Sequence, residues 1–199
     1  IFDEASIENS ITCAIVALYL GMSPEDLAER MAKLEPIAMR LEVKDGQRGL
    51  TLINDSYNSD VNSLDIALDF MNRRPDQEGK CKTLILSDIY QSGETPSELN
   101  REVSDLLRKR GIDRFVGIGP EIMAQAAQFT VGQKWFFANV DEFLQSSVFR
   151  NMHDEIVLLK GARPFGFEHI SELLEQKVHE TILEVDLNAV VENLNHYRS

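Results

Sequence analysis

Residues 51–71 read TLINDSYNSDVNSLDIALDFM. The apolar run from Leu50 to Ile53 has strand character and closes on Asn54 and Asp55. A polar, turn-prone loop follows, and a helix pattern opens at Ser63 with Leu64, Ala67, Leu68 and Met71 on one face. Strand, loop and helix in that order carry a carboxylate and a string of amide and hydroxyl groups to the rim of a sheet. Such rims are where open α/β proteins bind ligands.

The same alternation continues on both sides. Leu41–Val43 and Leu50–Ile53 read as two strands joined near Asp45-Gly46. Thr83–Leu86 is a short buried strand ending at Ser87 and Asp88. Thr95-Pro96-Ser97-Glu98 has the form of a capping box with proline at the start. The helix it opens buries Leu99, Val103, Leu106 and Leu107 and stops at Gly111. Phe115–Ile118 is a strand closed by Gly119-Pro120, and a short helix leads to strand Trp135–Ala138. Asp141 is positioned to cap a helical turn, Glu155–Lys160 is the last strong strand, and Glu168–Lys177 is helical. Strands alternating with helices predict a three-layer, Rossmann-like α/β domain with a mostly parallel sheet covered on both faces. With right-handed crossovers, Asp55, Asp88, Gly119 and Lys160 share one rim.

Before that domain, residues 9–20 repeat apolar side chains at helical spacing and Gly21 stops them. Ser23-Pro24-Glu25-Asp26 starts a second helix with Leu27, Met31 and Leu34 on its face. Two helices cannot close a core, so residues 1–39 are expected to pack with a neighbouring domain. Residues 40–178 form the main domain, and 179–199 restart the pattern as the opening of another. The chain begins at Ile1 without Met, and both ends read as parts of something longer.

Composition narrows the classes. At 199 residues and 43% hydrophobic the chain can bury one substantial core. A formal charge of −13 argues against a broad nucleic-acid face, which needs clustered Lys and Arg, yet leaves room for a nucleotide held by a few local cations. Cys13 and Cys81 lack metal spacing and read as reduced thiols of a cytoplasmic protein. No apolar stretch approaches 18 residues, so no membrane insertion is expected.

Several residues are candidates for chemistry, each with a plainer alternative. Asp55 suits a ribose hydroxyl or magnesium-bound water, or it caps the turn at 56–59. The amide of Asn58 can donate and accept, which suits a purine edge or a turn. Asp88 occupies the equivalent place on a neighbouring strand, or caps its own loop. Lys160, followed by Gly161, anchors a phosphate or carboxylate, or else snorkels out of the core. Arg40 and Arg163 each lie near a proline and equally suit structural ion pairs. The four histidines have no metal spacing, and no metal-binding residues are assigned. The glycines at 111, 117 and 119 do not make a dinucleotide fingerprint. No Gly-x-x-x-x-Gly-Lys-Ser/Thr loop occurs, so an ATP enzyme would hold the phosphates outside these residues.

The run Asp55-Ser56-Tyr57-Asn58-Ser59-Asp60, with Ser63 and Ala67-Leu68, resembles the Mur ligase family of peptidoglycan synthesis. The resemblance is to the branch that joins D-alanyl-D-alanine to UDP-N-acetylmuramoyl-tripeptide, where the motif runs Asp-Ser-Tyr-Asn-Ala-Asn-Pro. Ile7-Glu8-Asn9, Arg40-Leu41-Glu42, Leu86-Ser87-Asp88-Ile89 with Gly93, and Lys160-Gly161-Ala162-Arg163 with Glu168 match further family segments in order, covering about residues 1–178. The chain departs from the pattern at Ser59, Asp60, Val61, Ser87, Gln91, Ser92, Asn100 and Ala162.

The resemblance implies an ATP-dependent amide ligase that forms an acyl phosphate, which the dipeptide amine then attacks. It puts Asn9, Arg40, Asp55 and Asn58 on the nucleotide side. Asp88, Lys160 and Arg163 fall nearer D-alanyl-D-alanine, with Lys160 and Asp88 as the catalytic pair. ATP and Mg2+ are the implied cofactors, bound mainly beyond these residues, and the isolated chain is expected to lack turnover. Residues 181–194 resemble the first strand and helix of alanine racemase, implying a ligase–racemase fusion. The pyridoxal phosphate lysine of that family would lie past residue 199, and a homodimer could form through the racemase part. A docking or dimerising module without catalysis is the other reading, motivated by the departures at 59–61, 87 and 162.

Overall fold

The computed structural model describes residues 4–33, 40–57, 59–74, 79–90 and 95–176. Six strands form one sheet: β1 (Glu42–Asp45), β2 (Thr51–Asn54), β3 (Cys81–Ser87), β4 (Arg114–Ile118), β5 (Gln133–Phe137) and β6 (Glu155–Lys160). Their order is β1-β2-β6-β3-β4-β5. Only β1 runs antiparallel, to β2, and the other four pairings are parallel. The mostly parallel α/β arrangement expected from the sequence is present.

β6 lies between β2 and β3 and is buried at every position, which is why its sequence is an unbroken apolar run between Glu155 and Lys160. Period-two alternation divides the core. Leu84, Leu86, Ile156 and Leu158 face one side; Ile85, Val157 and Leu159 face the other. Two helices, α3 (Val61–Asn72) and α4 (Pro96–Arg110), cover the first side with Leu64, Leu68, Met71, Leu99, Val103 and Leu107. Two others, α6 (Val140–Gln145) and α8 (Glu168–Leu174), cover the second with Phe143, Ile170 and Leu174. A short α5 (Pro120–Ala124) follows β4, and α7 (Ser147–Arg150) precedes β6.

Local signals explain most boundaries. Thr95 and Glu98 make the expected capping box, Pro96 opens α4, and Gly111 ends it at φ 68°. Two caps differ from the sequence reading. Asp60, not Ser63, marks the start of α3: its carboxylate accepts from the Ser63 N–H at 2.8 Å, so the helix opens at Val61. Asn139 caps α6 through the Glu142 N–H, while Asp141 sits in the first turn. α8 stops at Leu174 because Glu175 turns extended and bridges back to Gly46.

Ahead of the sheet lie α1 (Glu4–Tyr19) and α2 (Pro24–Ala32), with Ser23 capping α2 as expected. Ile7, Ile11, Ile15 and Val16 on α1 remain about half exposed, and no residue of α2 is buried. Leu34 and residues 179–199 lie outside the described residues. Among the described residues no helix is long and apolar enough to cross a membrane.

Candidate functional site at the strand rim

The C-terminal ends of β2, β6, β3 and β4 meet at one rim. The Asp55 N–H continues the ladder to the Leu159 carbonyl, and the Asp88 N–H does the same to Ile118. This register brings the last residue of β6 against the residue after β2. Lys160 Nζ donates to Asp55 Oδ2 at 2.6 Å, with the two side chains 1% and 14% exposed. The lysine therefore does not snorkel; its charge is buried and matched by Asp55.

Asp55 is released for this pairing because Asn54 caps the turn. Asn54 Oδ1 accepts from the Ser56 hydroxyl at 2.6 Å and from the Ser56 N–H at 3.3 Å. Its amide donates to Ser171 Oγ, which donates to Glu175 Oε1; Lys44 Nζ also donates to Glu175. This buried-to-surface chain fixes the strand end, and Asn54 was not among the residues the sequence singled out. Its signal was available: an amide in a fully buried strand must find partners.

Burial pushes the Asp55 carboxyl up, and Lys160, the Leu41 N–H and the Arg40 charge pull it back only in part. Leu41 adopts a left-handed φ of 49°, rare for leucine, as it supplies that N–H. Two residues after Asp55, Tyr57 is flanked by two guanidiniums. Arg40 lies 5.0 Å and Arg163 5.9 Å from the ring centre, within cation–π range. All three side chains are exposed. The rim thus presents two guanidinium forks beside an aromatic ring, suited to a phosphate or carboxylate.

Asp88 has different surroundings. Its carboxylate accepts from the N–H groups of Ile122 at 2.7 Å and Glu121 at 3.2 Å, closing the first turn of α5. Gly119, at φ 138°, gives it room: a Cβ there would sit 2.4 Å from the Asp88 carboxyl carbon. Desolvation raises the Asp88 pKa against these two amides. The Asp88 carboxylate is thus engaged by backbone donors of α5, not by its own loop as the plainer reading of the sequence had it. Gly161 likewise makes room for protein, since a Cβ would meet the Phe167 ring at 2.6 Å.

Asn9 is exposed on α1, and no hydrogen bond or ring contact among the described residues links it to the rim. Asn58 lies outside the described residues. Among the described residues no group of three or more His, Cys, Asp or Glu side chains could hold a metal ion. The cationic forks fit the anionic part of a nucleotide.

No protein-family model matches the chain. It is 26% identical over 180 residues to the UDP-N-acetylmuramoyl-tripeptide–D-alanyl-D-alanine ligase of Bacillus subtilis, covering 88% of this chain and 39% of that protein. The Escherichia coli enzyme of the same name is 21% identical over 173 residues, with 86% and 37% covered. Among solved structures, MurF from Acinetobacter baumannii superposes with a TM-score of 0.70 at 21% identity, covering 85% of this chain and 38% of that one. MurF from Thermotoga maritima in complex with ADP gives 0.59 at 19% identity, covering 80% and 35%. The chain is thus similar to Mur ligases in sequence and shares their α/β fold, and it spans less than two fifths of the length of these relatives.

Proposed function

We propose that this chain is part of an ATP-dependent Mur ligase that joins D-alanyl-D-alanine to UDP-N-acetylmuramoyl-tripeptide. The observation that carries the reading is the rim itself: Asp55 paired with buried Lys160, and Tyr57, two residues on, flanked by Arg40 and Arg163. These residues come from three separated segments, each of which resembles a family motif. Their assembly supports the reading beyond overall similarity.

In this reading residues 1–39 end the central ATP-binding domain and residues 40–178 form the C-terminal domain. Arg40 and Arg163 bind and orient anionic groups of the nucleotide and of the incoming dipeptide. Asp55 holds the Lys160 ammonium in place, so that positive charge lies beneath the site where phosphate departs. Asp88 acts as a positioning residue, fixing α5 against the end of β3. Asn9 and Asn58 remain candidates for nucleotide contact on their sequence match alone. ATP supplies the phosphoryl group that activates the tripeptide carboxylate, and magnesium bound outside these residues supplies further charge neutralisation. The fusion to an alanine racemase, with its pyridoxal phosphate, rests on the sequence of residues 181–194 alone.

The test is phosphate release by the full-length protein in the presence of ATP, UDP-N-acetylmuramoyl-tripeptide and D-alanyl-D-alanine. Release that requires all three and collapses in Asp55→Ala and Lys160→Ala supports the assignment. Full activity in both variants removes it, and no activity in the wild-type protein favours the docking module.

A further inference from the structure

β6 lies between β2 and β3, so the short helical turn that follows it, Arg163–Phe165, sits between the loops after those two strands. The turn offers a different group to each. Arg163 meets Tyr57, which follows β2. Phe165 stacks on Tyr90, which follows β3, with ring centroids 5.9 Å apart and planes 24° from parallel. Phe165 also meets Phe167 edge-on at 6.4 Å, and Phe167 is 1% exposed. Tyr90, at the other end of this series, is 45% exposed. An aromatic surface anchored in the core therefore ends in solvent beside a cation. Neither the Asp55–Lys160 pair nor the contacts of Asp88 with α5 make use of it.

A half-open aromatic stack is a ready surface for an apolar group, because covering it removes ring area from water. Arg163, two residues before Phe165, calls for an anion on the same ligand. The strand order separates this surface from the nucleotide. Arg40 and Asp55 belong to the β2 side of β6, whereas Tyr90 belongs to the β3 side. The surface is thus placed for the second substrate. A short peptide with a free carboxylate and small apolar side chains carries both of the groups that Arg163 and the aromatic pair would take.

We propose that Tyr90 and Phe165 are specificity-determining residues: the methyl groups of D-alanyl-D-alanine pack on their rings while Arg163 takes the dipeptide carboxylate. This rests on the function proposed above. The test is phosphate release by the full-length protein with D-alanyl-D-alanine and with glycylglycine, which lacks the methyl groups. Tyr90→Ala is expected to raise KM for D-alanyl-D-alanine by about tenfold, the low end for a methyl-sized contact. KM for glycylglycine and for ATP should stay within about twofold, a free-energy change well below that of the lost contact. Tyr90→Phe keeps the ring and should keep the wild-type KM. Because Tyr90 is half exposed, its replacement should leave the melting temperature unchanged. An unchanged KM for D-alanyl-D-alanine in Tyr90→Ala, or an equal rise for both dipeptides, would overturn the proposal. Absence of phosphate release from the wild-type protein would instead count against the ligase reading. The aromatic surface is then decided by the Tyr90 ring resonances of the 199-residue chain during titration with D-alanyl-D-alanine. Saturable shifts uphold it as a peptide site, and their absence overturns it.

Discussion

The Ala162 N–H donates to Ser87 Oγ at 2.8 Å, tying the end of β3 to the loop that follows Lys160. Both positions depart from the Mur ligase pattern, and they depart at the two ends of one hydrogen bond. The Ser87 hydroxyl also donates to the Asp88 carbonyl at 2.9 Å, so one buried side chain bridges two rim segments. On the sequence these departures motivate the non-catalytic alternative; in the fold Ser87 supplies the acceptor, while the donor is the backbone of residue 162, which any residue except proline would offer.

Ser87→Ala removes that bridge and leaves the Ala162 N–H without its partner. The cost is expected to be about 1–3 kcal/mol, the range for an unsatisfied buried group. Urea denaturation with an unchanged m-value measures it. A loss within error of zero would show that water replaces the hydroxyl.

The Asp55–Lys160 pair should behave as a coupled unit. Asp55→Asn leaves a 1% exposed ammonium uncompensated and is expected to destabilise by about 3–5 kcal/mol. Lys160→Met should cost less, because burial already favours the neutral Asp55 carboxyl once its partner is gone. The double variant should be more stable than the two single losses predict when summed, by about 1 kcal/mol or more. Additive losses would show that the contact contributes nothing specific.

Two partly buried carboxylates, Asp60 and Glu175, contribute to the acid limb of stability. Burial alone would raise Glu175, yet hydrogen bonds from Lys44 and Ser171 hold it below the usual range. Burial likewise opposes the lowering of Asp60, which the Ser63 N–H and hydroxyl bring about. A depressed folded pKa means that the unfolded chain takes up protons first on acidification. Stability from both groups is therefore present above the ordinary carboxylate pKa and lost as pH falls through the depressed values. Glu175→Gln should flatten the acid limb of a stability–pH curve. An unaltered slope would count against the Lys44–Glu175–Ser171 cluster.

Asp60→Ala should cost about 1 kcal/mol at neutral pH, the usual loss for an N-cap. Asp60→Asn keeps an acceptor for the Ser63 N–H and should cost less. Thermal melts of the two variants separate capping from any ligand role at this position. Equal losses would mean that the charge, rather than the cap, matters.

The sheet was legible in the sequence because its parallel strands are buried on both faces: β6 reads as a single apolar run, and α3 and α4 show their buried faces at helical spacing. The rim was legible in part. Placing Asp55 and Lys160 at strand ends follows from topology, but the register that puts Lys160 Nζ against Asp55 Oδ2 depends on long-range pairing of β2 with β6. Asp88 illustrates the limit. Its strand-end position was visible, but its two amide donors belong to α5, 33 and 34 residues away. Caps were hard to place where several Asp and Asn residues compete, as Asn139 and Asp141 do before α6.

In the proposed function, Arg40, Tyr57 and Arg163 form, with Asp55 and Lys160, the face that meets nucleotide phosphate and substrate carboxylate. The most direct measurement follows the arginine side-chain N–H and Tyr57 ring resonances of the 199-residue chain by NMR during titration with a non-hydrolysable ATP analogue. The expected result is saturable shifts at Arg40, Tyr57 and Arg163, with the Tyr57 shift lost in Arg40→Ala/Arg163→Ala. Saturable shifts confined to residues away from this rim, or binding that survives the double substitution unchanged, would contradict it.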